Sequence, residues 1–215
     1  AYLLLRQIEN DMVEFPGGDE DKYGQYTLSS YTYYGLNEYW NGSARFDFGT
    51  LRNVTAMEKE AAKASGDNNP YSALGKFFKA YFFIKMSLKV GDLPMTDALK
   101  GLDNTKPKYD TQKDVFKQSL QLLEDANTQL ASLITSSNTA LLGDFYYQER
   151  ISGGKDPLSA LKQWQKVVNT FKLRVLIELS KKAGDADLNV KQKFADVLGN
   201  PAKYPIMNDL SDNLE

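Results

Sequence analysis

Aromatic side chains are concentrated in one irregular stretch of the sequence, residues 23–48. This stretch has nine aromatic residues, whereas the whole chain of 215 residues has 13 Tyr, 11 Phe and 2 Trp. Glycines interrupt any helical pattern there, and Asn, Asp and Arg side chains lie between the rings. Tyr and Trp rings offer flat apolar faces with a polar edge, which match the C–H faces and hydroxyl rims of sugars. The stretch therefore indicates a carbohydrate-binding loop, with simple packing of the rings onto neighbouring helices as the alternative.

Five residues within this aromatic stretch are the best candidates for ligand contacts: Tyr34, Asn37, Tyr39, Trp40 and Arg45. Tyr39 and Trp40 are adjacent, so in a loop their rings could cover neighbouring patches of one surface. Asn37 and Arg45 are close enough in sequence to reach the hydroxyls of a sugar on those rings. The competing interpretation is that Trp40 anchors the loop in the core.

The absence of Cys and His excludes several kinds of chemistry. Thiolate nucleophiles and Cys-based zinc sites need Cys, and Ser–His–Asp triads and HExxH metal sites need His. No pair of carboxylates is marked as a general acid and base. A net charge of −2 and a pI near 5.4 argue against a nucleic-acid surface. We therefore expect a binding protein without a cofactor and not an enzyme.

One short pattern resembles the start of a calcium-binding loop. Asp185, Asp187 and Asn189 alternate as ligands of such a loop do, but Val190 occupies the position at which the motif needs Gly. A solvated entry to a helix explains the pattern better, so we predict no metal site.

Helical periodicity dominates the rest of the chain. The apolar spacing and the breakers predict helices over residues 2–13, 51–64, 70–89, 111–134, 157–183 and 190–198. Phe77 and Trp164 lie at the centres of apolar stripes and are predicted to be buried, and Ala64 and Leu88 are placed on inward faces. We find no convincing pair of strands. The sequence predicts one all-α domain, residues 1–215, of antiparallel helical hairpins with tetratricopeptide-like packing, in which the aromatic loop 23–48 precedes a helical body, 50–200.

Three segments in order resemble the SusD/RagB-like family. Residues 90–99 (VGDLPMTDAL), after the helix that begins at Pro70, are similar to the family's Gly-Asp-x-Pro turn. Residues 107–112 (PKYDTQ) resemble its Tyr-Asp helix entry, and residues 164–174 (WQKVVNTFKLR) resemble its Trp…Asn…Leu-Arg helix. Met95 departs from the pattern, since an aromatic residue is common there.

The resemblance implies a nutrient-binding lipoprotein at the surface of the outer membrane. Such proteins are helical, are anchored by a lipid on a Cys upstream of the mature domain, and capture glycans for a SusC-like TonB-dependent transporter. Peptide capture, as in the RagB branch, is the alternative within the family, and a helical-repeat scaffold that binds only protein is the alternative outside it. The resemblance also implies that a C-terminal half of similar length lies outside this sequence, and that the motif residues shape turns, cap helices and pack.

Overall fold

Six α-helices form the part of the chain that the structure describes. This computed structural model describes residues 1–12, 46–137, 141 and 157–212. The helices are α1 (Tyr2–Met12), α2 (Phe48–Ser65), α3 (Pro70–Val90), α4 (Gln112–Thr135), α5 (Pro157–Glu178) and α6 (Val190–Gly199). A 3₁₀ turn, Leu179–Lys182, continues α5, and the described residues include no β-strand. The predicted all-α fold is confirmed.

Local sequence signals determine where the helices begin and end. The Asn69 side chain accepts a hydrogen bond from the Ser72 amide, 2.9 Å away, and Pro70 occupies the first helical position of α3. At the other end of α3, Gly91 has a positive φ of 81° and donates its amide to the Ser87 carbonyl. These signals place the α3 boundaries within a residue of those predicted from the sequence.

Successive helices pack against each other, and α3 lies at the centre. It contacts α2 on one side and α4 on the other, while α5 packs on α3, α4 and α6, and α1 packs on α2. The link between α2 and α3 is only four residues long, so the two helices form an antiparallel hairpin. Because neighbours cover α3 on several sides, it buries three Phe side chains almost completely: Phe77, Phe78 and Phe82.

Two residues that the periodicity placed inward lie at the surface instead. Leu88, in the last turn of α3, is 52% exposed and lines an open groove. Ala64 is exposed in the last turn of α2, where the helix runs out towards its C-terminal loop. In both cases the apolar stripe continues into the last turn of the helix, where these two side chains are left exposed. None of the helices in the described ranges is long and apolar enough to cross a membrane.

Candidate ligand-binding site

The chain on either side of residues 13–45 is fixed to one stretch of α3. On the N-terminal side, the Met12 carbonyl accepts a hydrogen bond from the Tyr81 hydroxyl, 3.4 Å away. On the C-terminal side, the Asp47 amide lies 3.2 Å from Met86 Sδ and its carboxylate lies 3.9 Å from Lys85 Nζ. Tyr81 and Met86 are about 8 Å apart along a helix axis. Met12, which precedes the aromatic loop, and Asp47, near its C-terminal end, therefore lie on the same part of the helical body.

A groove of about 430 Å³ lies beside these attachment points. It is lined by residues of α1, α3 and α5: Met12, Tyr81, Ile84, Lys85, Leu88, Lys89, Phe171, Arg174 and Glu178. The Tyr81 and Phe171 rings are 5.3 Å apart, and Arg174 Nε lies 3.3 Å from Glu178 Oε1. Aromatic walls with charged groups suit a ligand that has apolar faces and polar edges.

The five predicted ligand residues lie outside the described residues. Tyr34, Asn37, Tyr39, Trp40 and Arg45 therefore stay a prediction, and so does their placement together. Two rings of the predicted loop are described. Phe46 is 42% exposed, whereas Phe48 is half-buried as the first residue of α2 and meets Phe83 edge-on at 6.3 Å. Packing thus accounts for one of these rings and leaves the other at the surface.

The first two motif segments interlock into one turn. Leu93 and Asp110 form an antiparallel bridge, with N–O distances of 3.2 and 3.1 Å. The Asp110 carboxylate accepts hydrogen bonds from the amides of Met95 and Thr96, at 2.9 and 2.7 Å. Burial alone would raise the pKa of Asp110, but these hydrogen bonds outweigh burial and hold the pKa below its usual value. The role of Asp110 is therefore to fold the turn.

The start of α4 is tied to the same turn. Thr111 caps the helix, since its hydroxyl accepts from the Asp114 amide at 3.2 Å. The Gln112 amide donates to the Asp92 carboxylate at 2.8 Å, and the Gln112 side chain donates to the Ser87 carbonyl at 2.8 Å. The Gly-Asp and Tyr-Asp-Thr-Gln segments are thus held together by reciprocal hydrogen bonds in this chain.

The third motif segment supplies the centre of the core. Trp164 is fully buried, with its ring 5.6 Å from Phe77 and 5.7 Å from Phe78. Phe77 also meets Phe171 edge-on at 5.8 Å. The predicted burial of Phe77 and Trp164 is confirmed.

A polar cluster between α4, α5 and residues 200–212 was not foreseen from the sequence. The Glu124 carboxylate pairs with Lys172, which is almost fully buried, and lies 3.0 Å from Lys203 Nζ. It also accepts a hydrogen bond from the Tyr204 hydroxyl at 2.9 Å. Lys172 and Lys203 both lie over the Tyr204 ring, at 4.8 and 4.7 Å from its centroid. This cluster fastens the C-terminal segment to the helices.

Three buried amides extend the polar cluster. Asn127 Oδ1 accepts from Gln165 at 3.0 Å and from Asn169 at 2.9 Å, while Asn127 Nδ2 donates to the Lys203 carbonyl at 3.2 Å. Asn169 also donates to the Pro205 carbonyl at 2.9 Å. The sequence signal that could have revealed this cluster is the presence of polar residues at inward positions of the helices, such as Asn127, four residues after Leu123.

The calcium-like pattern has a different role. The Lys113 ammonium group lies between the two carboxylates, 2.8 Å from Asp185 and 2.7 Å from Asp187. Hydrogen bonds from Lys113, the largest cause, lower the pKa of both aspartates. Asp185 also accepts from the amides of Asp187 and Leu188, which closes a turn. Between Asp185 and Asp187, the positive charge is therefore that of Lys113.

Comparison with known proteins shows which family this chain resembles. Residues 6–215 match the model of a SusD-like family described as starch-binding and associating with the outer membrane. The fold is similar to the crystal structure of a SusD homologue from Bacteroides fragilis, with 32% sequence identity and a TM-score of 0.70. That match covers 99% of this chain and 42% of the other, so the chain spans less than half the length of this relative. No curated protein matches the sequence.

The match extends over nearly all of the sequence and includes the three motif segments. It therefore confirms the predicted family, whose description as starch-binding agrees with the prediction of a binding protein that is not an enzyme. The chain belongs to the SusD-like family of proteins that associate with the outer membrane.

Proposed function

We propose that the protein captures glycans at the cell surface as an outer-membrane lipoprotein and delivers them to a SusC-like TonB-dependent transporter. The observation that carries the proposal is the family match over residues 6–215, because the family is described as starch-binding. Capture needs only binding, so the mechanism is stacking of rings on sugar faces, with amide and charged groups fixing the hydroxyls.

The proposed ligand contacts are those of the aromatic loop: Tyr34, Asn37, Tyr39, Trp40 and Arg45. The described structure supports this location in one respect. Met12, before the loop, and Asp47, near its C-terminal end, both contact α3 next to a groove with aromatic walls. Binding residues are commonly carried on loops that a rigid scaffold positions.

Glycan affinity of a Trp40→Ala variant tests this proposal. The full-length protein is first screened on a glycan array beside a peptide library, and the best glycan is then titrated. We expect Trp40→Ala to weaken binding of that glycan by about 1–3 kcal/mol, because a stacked ring is lost. The melting temperature should stay nearly unchanged.

Tyr109→Ala is the matched control, since Tyr109 is 65% exposed on the loop before α4, outside the aromatic loop. It should change neither affinity nor stability. Capture of peptides alone would contradict glycan capture. A large loss of stability in Trp40→Ala with unchanged affinity would make Trp40 a packing residue.

A further inference from the structure

The groove of about 430 Å³ beside the contacts of Met12 and Asp47 with α3 is formed by helical residues. Its lining includes a row of side chains from residues 81–89 of α3 and another from residues 171–178 of α5. In each row the lining positions recur every three to four residues, so they share one face of their helix. Both rows lie in the C-terminal halves of their helices.

The apolar surface of this groove is partly open to solvent. The Tyr81 and Phe171 rings, 5.3 Å apart, are half-buried, and Leu88 is 52% exposed. Phe171 also meets Phe77 of the core edge-on at 5.8 Å, so core packing fixes the position of its ring. Carbon surface that is held in place and still accessible favours a ligand with an apolar face, such as the C–H face of a sugar ring.

Arg174 and Glu178 supply hydrogen-bonding groups at the same groove. Arg174 Nε lies 3.3 Å from Glu178 Oε1, and the Arg174 side chain is 72% exposed. Within the described ranges, the two terminal nitrogens of Arg174 and the second carboxylate oxygen of Glu178 have no hydrogen-bond partner. The pair therefore offers donors and an acceptor side by side. A sugar hydroxyl can use both, because it donates and accepts.

The positive charges of the groove each lie near a compensating negative group. Arg174 pairs with Glu178, and Lys85 Nζ lies 3.9 Å from the Asp47 carboxylate. Lys89 is in the last turn of α3, at the negative end of the helix dipole. The groove therefore favours a neutral ligand over an anion.

We propose that this groove binds one neutral sugar residue of the captured glycan. The C–H face of the sugar lies against Tyr81, Phe171 and Leu88, and Arg174 and Glu178 bind its hydroxyls. The volume of about 430 Å³ is within the range of small-molecule sites, about 300–1,000 Å³. The inference rests on the proposed capture of glycans and extends the binding surface from the aromatic loop to the helical body.

Titration calorimetry of the full-length protein with maltoheptaose, a neutral fragment of starch, tests the inference. Arg174→Ala should weaken binding about tenfold, because it removes hydrogen bonds from a charged group. Leu88→Ala should weaken it about threefold to fivefold, because less apolar area is buried. The matched controls are Lys162→Ala on α5 and Leu198→Ala on α6, at exposed positions outside the groove, and they should leave the affinity unchanged. All four side chains are exposed, so each variant should keep the melting temperature of the parent protein.

Unchanged maltoheptaose affinity in either Arg174→Ala or Leu88→Ala would overturn the inference, even if Trp40→Ala weakens binding as proposed for the aromatic loop. An equal loss in the two control variants would overturn it too. So would absence of maltoheptaose binding, whereas the proposed capture of glycans is decided separately by the glycan array. Binding of a peptide that either groove variant abolishes, without an effect on maltoheptaose, would assign the groove to peptides instead.

Discussion

Helix α5 makes contacts of different character with two of its neighbours, α3 and α4. Towards α3 it presents rings, with Trp164 and Phe171 packed against Phe77. Towards α4 it presents polar groups, with Gln165 and Asn169 bonded to Asn127 and with Lys172 paired to Glu124. The aromatic interface is stabilised by burial of apolar area, which does not depend on exact direction. Helices α4 and α5 also share the apolar cluster of Phe116, Leu120, Val175 and Leu176, but their polar contacts stabilise the interface only if each donor meets its acceptor.

This difference has a consequence for the C-terminal segment. The aromatic interface is complete within the helices, whereas the polar interface needs the Lys203 and Pro205 carbonyls and the Tyr204 hydroxyl from residues 200–212. The polar interface therefore couples docking of that segment to the packing of α4 against α5. Three substitutions test the aromatic and the polar interface separately.

The largest effect is expected at the aromatic interface. Trp164→Ala should lower the free energy of unfolding by about 3–5 kcal/mol, because it leaves a cavity among the rings of Phe77 and Phe78. Urea unfolding measures this, with Ile177→Ala as the control, since Ile177 is 60% exposed on the same helix. A loss below about 1 kcal/mol would show that the rings do not carry the stability that their burial implies.

A smaller loss is expected at the polar interface. Asn127→Ala removes the shared acceptor of Gln165 and Asn169 and should cost about 2–3 kcal/mol, because a buried donor is left unsatisfied. Thr128→Ala, at an exposed position on the same helix, should cost nothing. Hydrogen exchange should also speed up at residues 203–207 in Asn127→Ala but not in Trp164→Phe. Equal exchange in both variants would contradict the coupling of the C-terminal segment to this interface.

The smallest effect is a dependence on pH. Burial would raise the pKa of Glu124, but hydrogen bonds from Lys172, Lys203 and Tyr204 outweigh burial and lower it. A lowered folded-state pKa means that the stabilisation is complete above the ordinary value of 4.5 and is lost as the pH falls through the folded pKa. Glu124→Gln should therefore reduce the acid dependence of the free energy of unfolding, measured by urea titration at neutral and acidic pH. An identical dependence in both proteins would show that Glu124 contributes no such linkage.

Much of the helical body could be predicted because its signals are local. Asn69-Pro70 and Gly91 fix both ends of α3 within the chain segment itself, and Thr111 caps α4 in the same way. Apolar periodicity likewise indicated that Trp164 and Phe77 are buried. The same rule failed for Leu88 and Ala64, because periodicity identifies the apolar face of a helix but not which residues on that face are covered by the rest of the fold.

The sequence by itself determined the helices, their caps, the buried rings and the likeness to the SusD-like family, since each depends on residues close together in the chain. Only the tertiary structure showed that Glu124 meets Lys172 and Tyr204, 48 and 80 residues away in sequence. It also decided that Asp185 and Asp187 bind Lys113 and that Leu88 and Arg174 line one groove. Charged and polar side chains are equally acceptable on many solvated faces, so their sequence spacing carries little information about their partners. Helix packing selects those partners, because only the folded chain brings such distant groups within hydrogen-bonding distance.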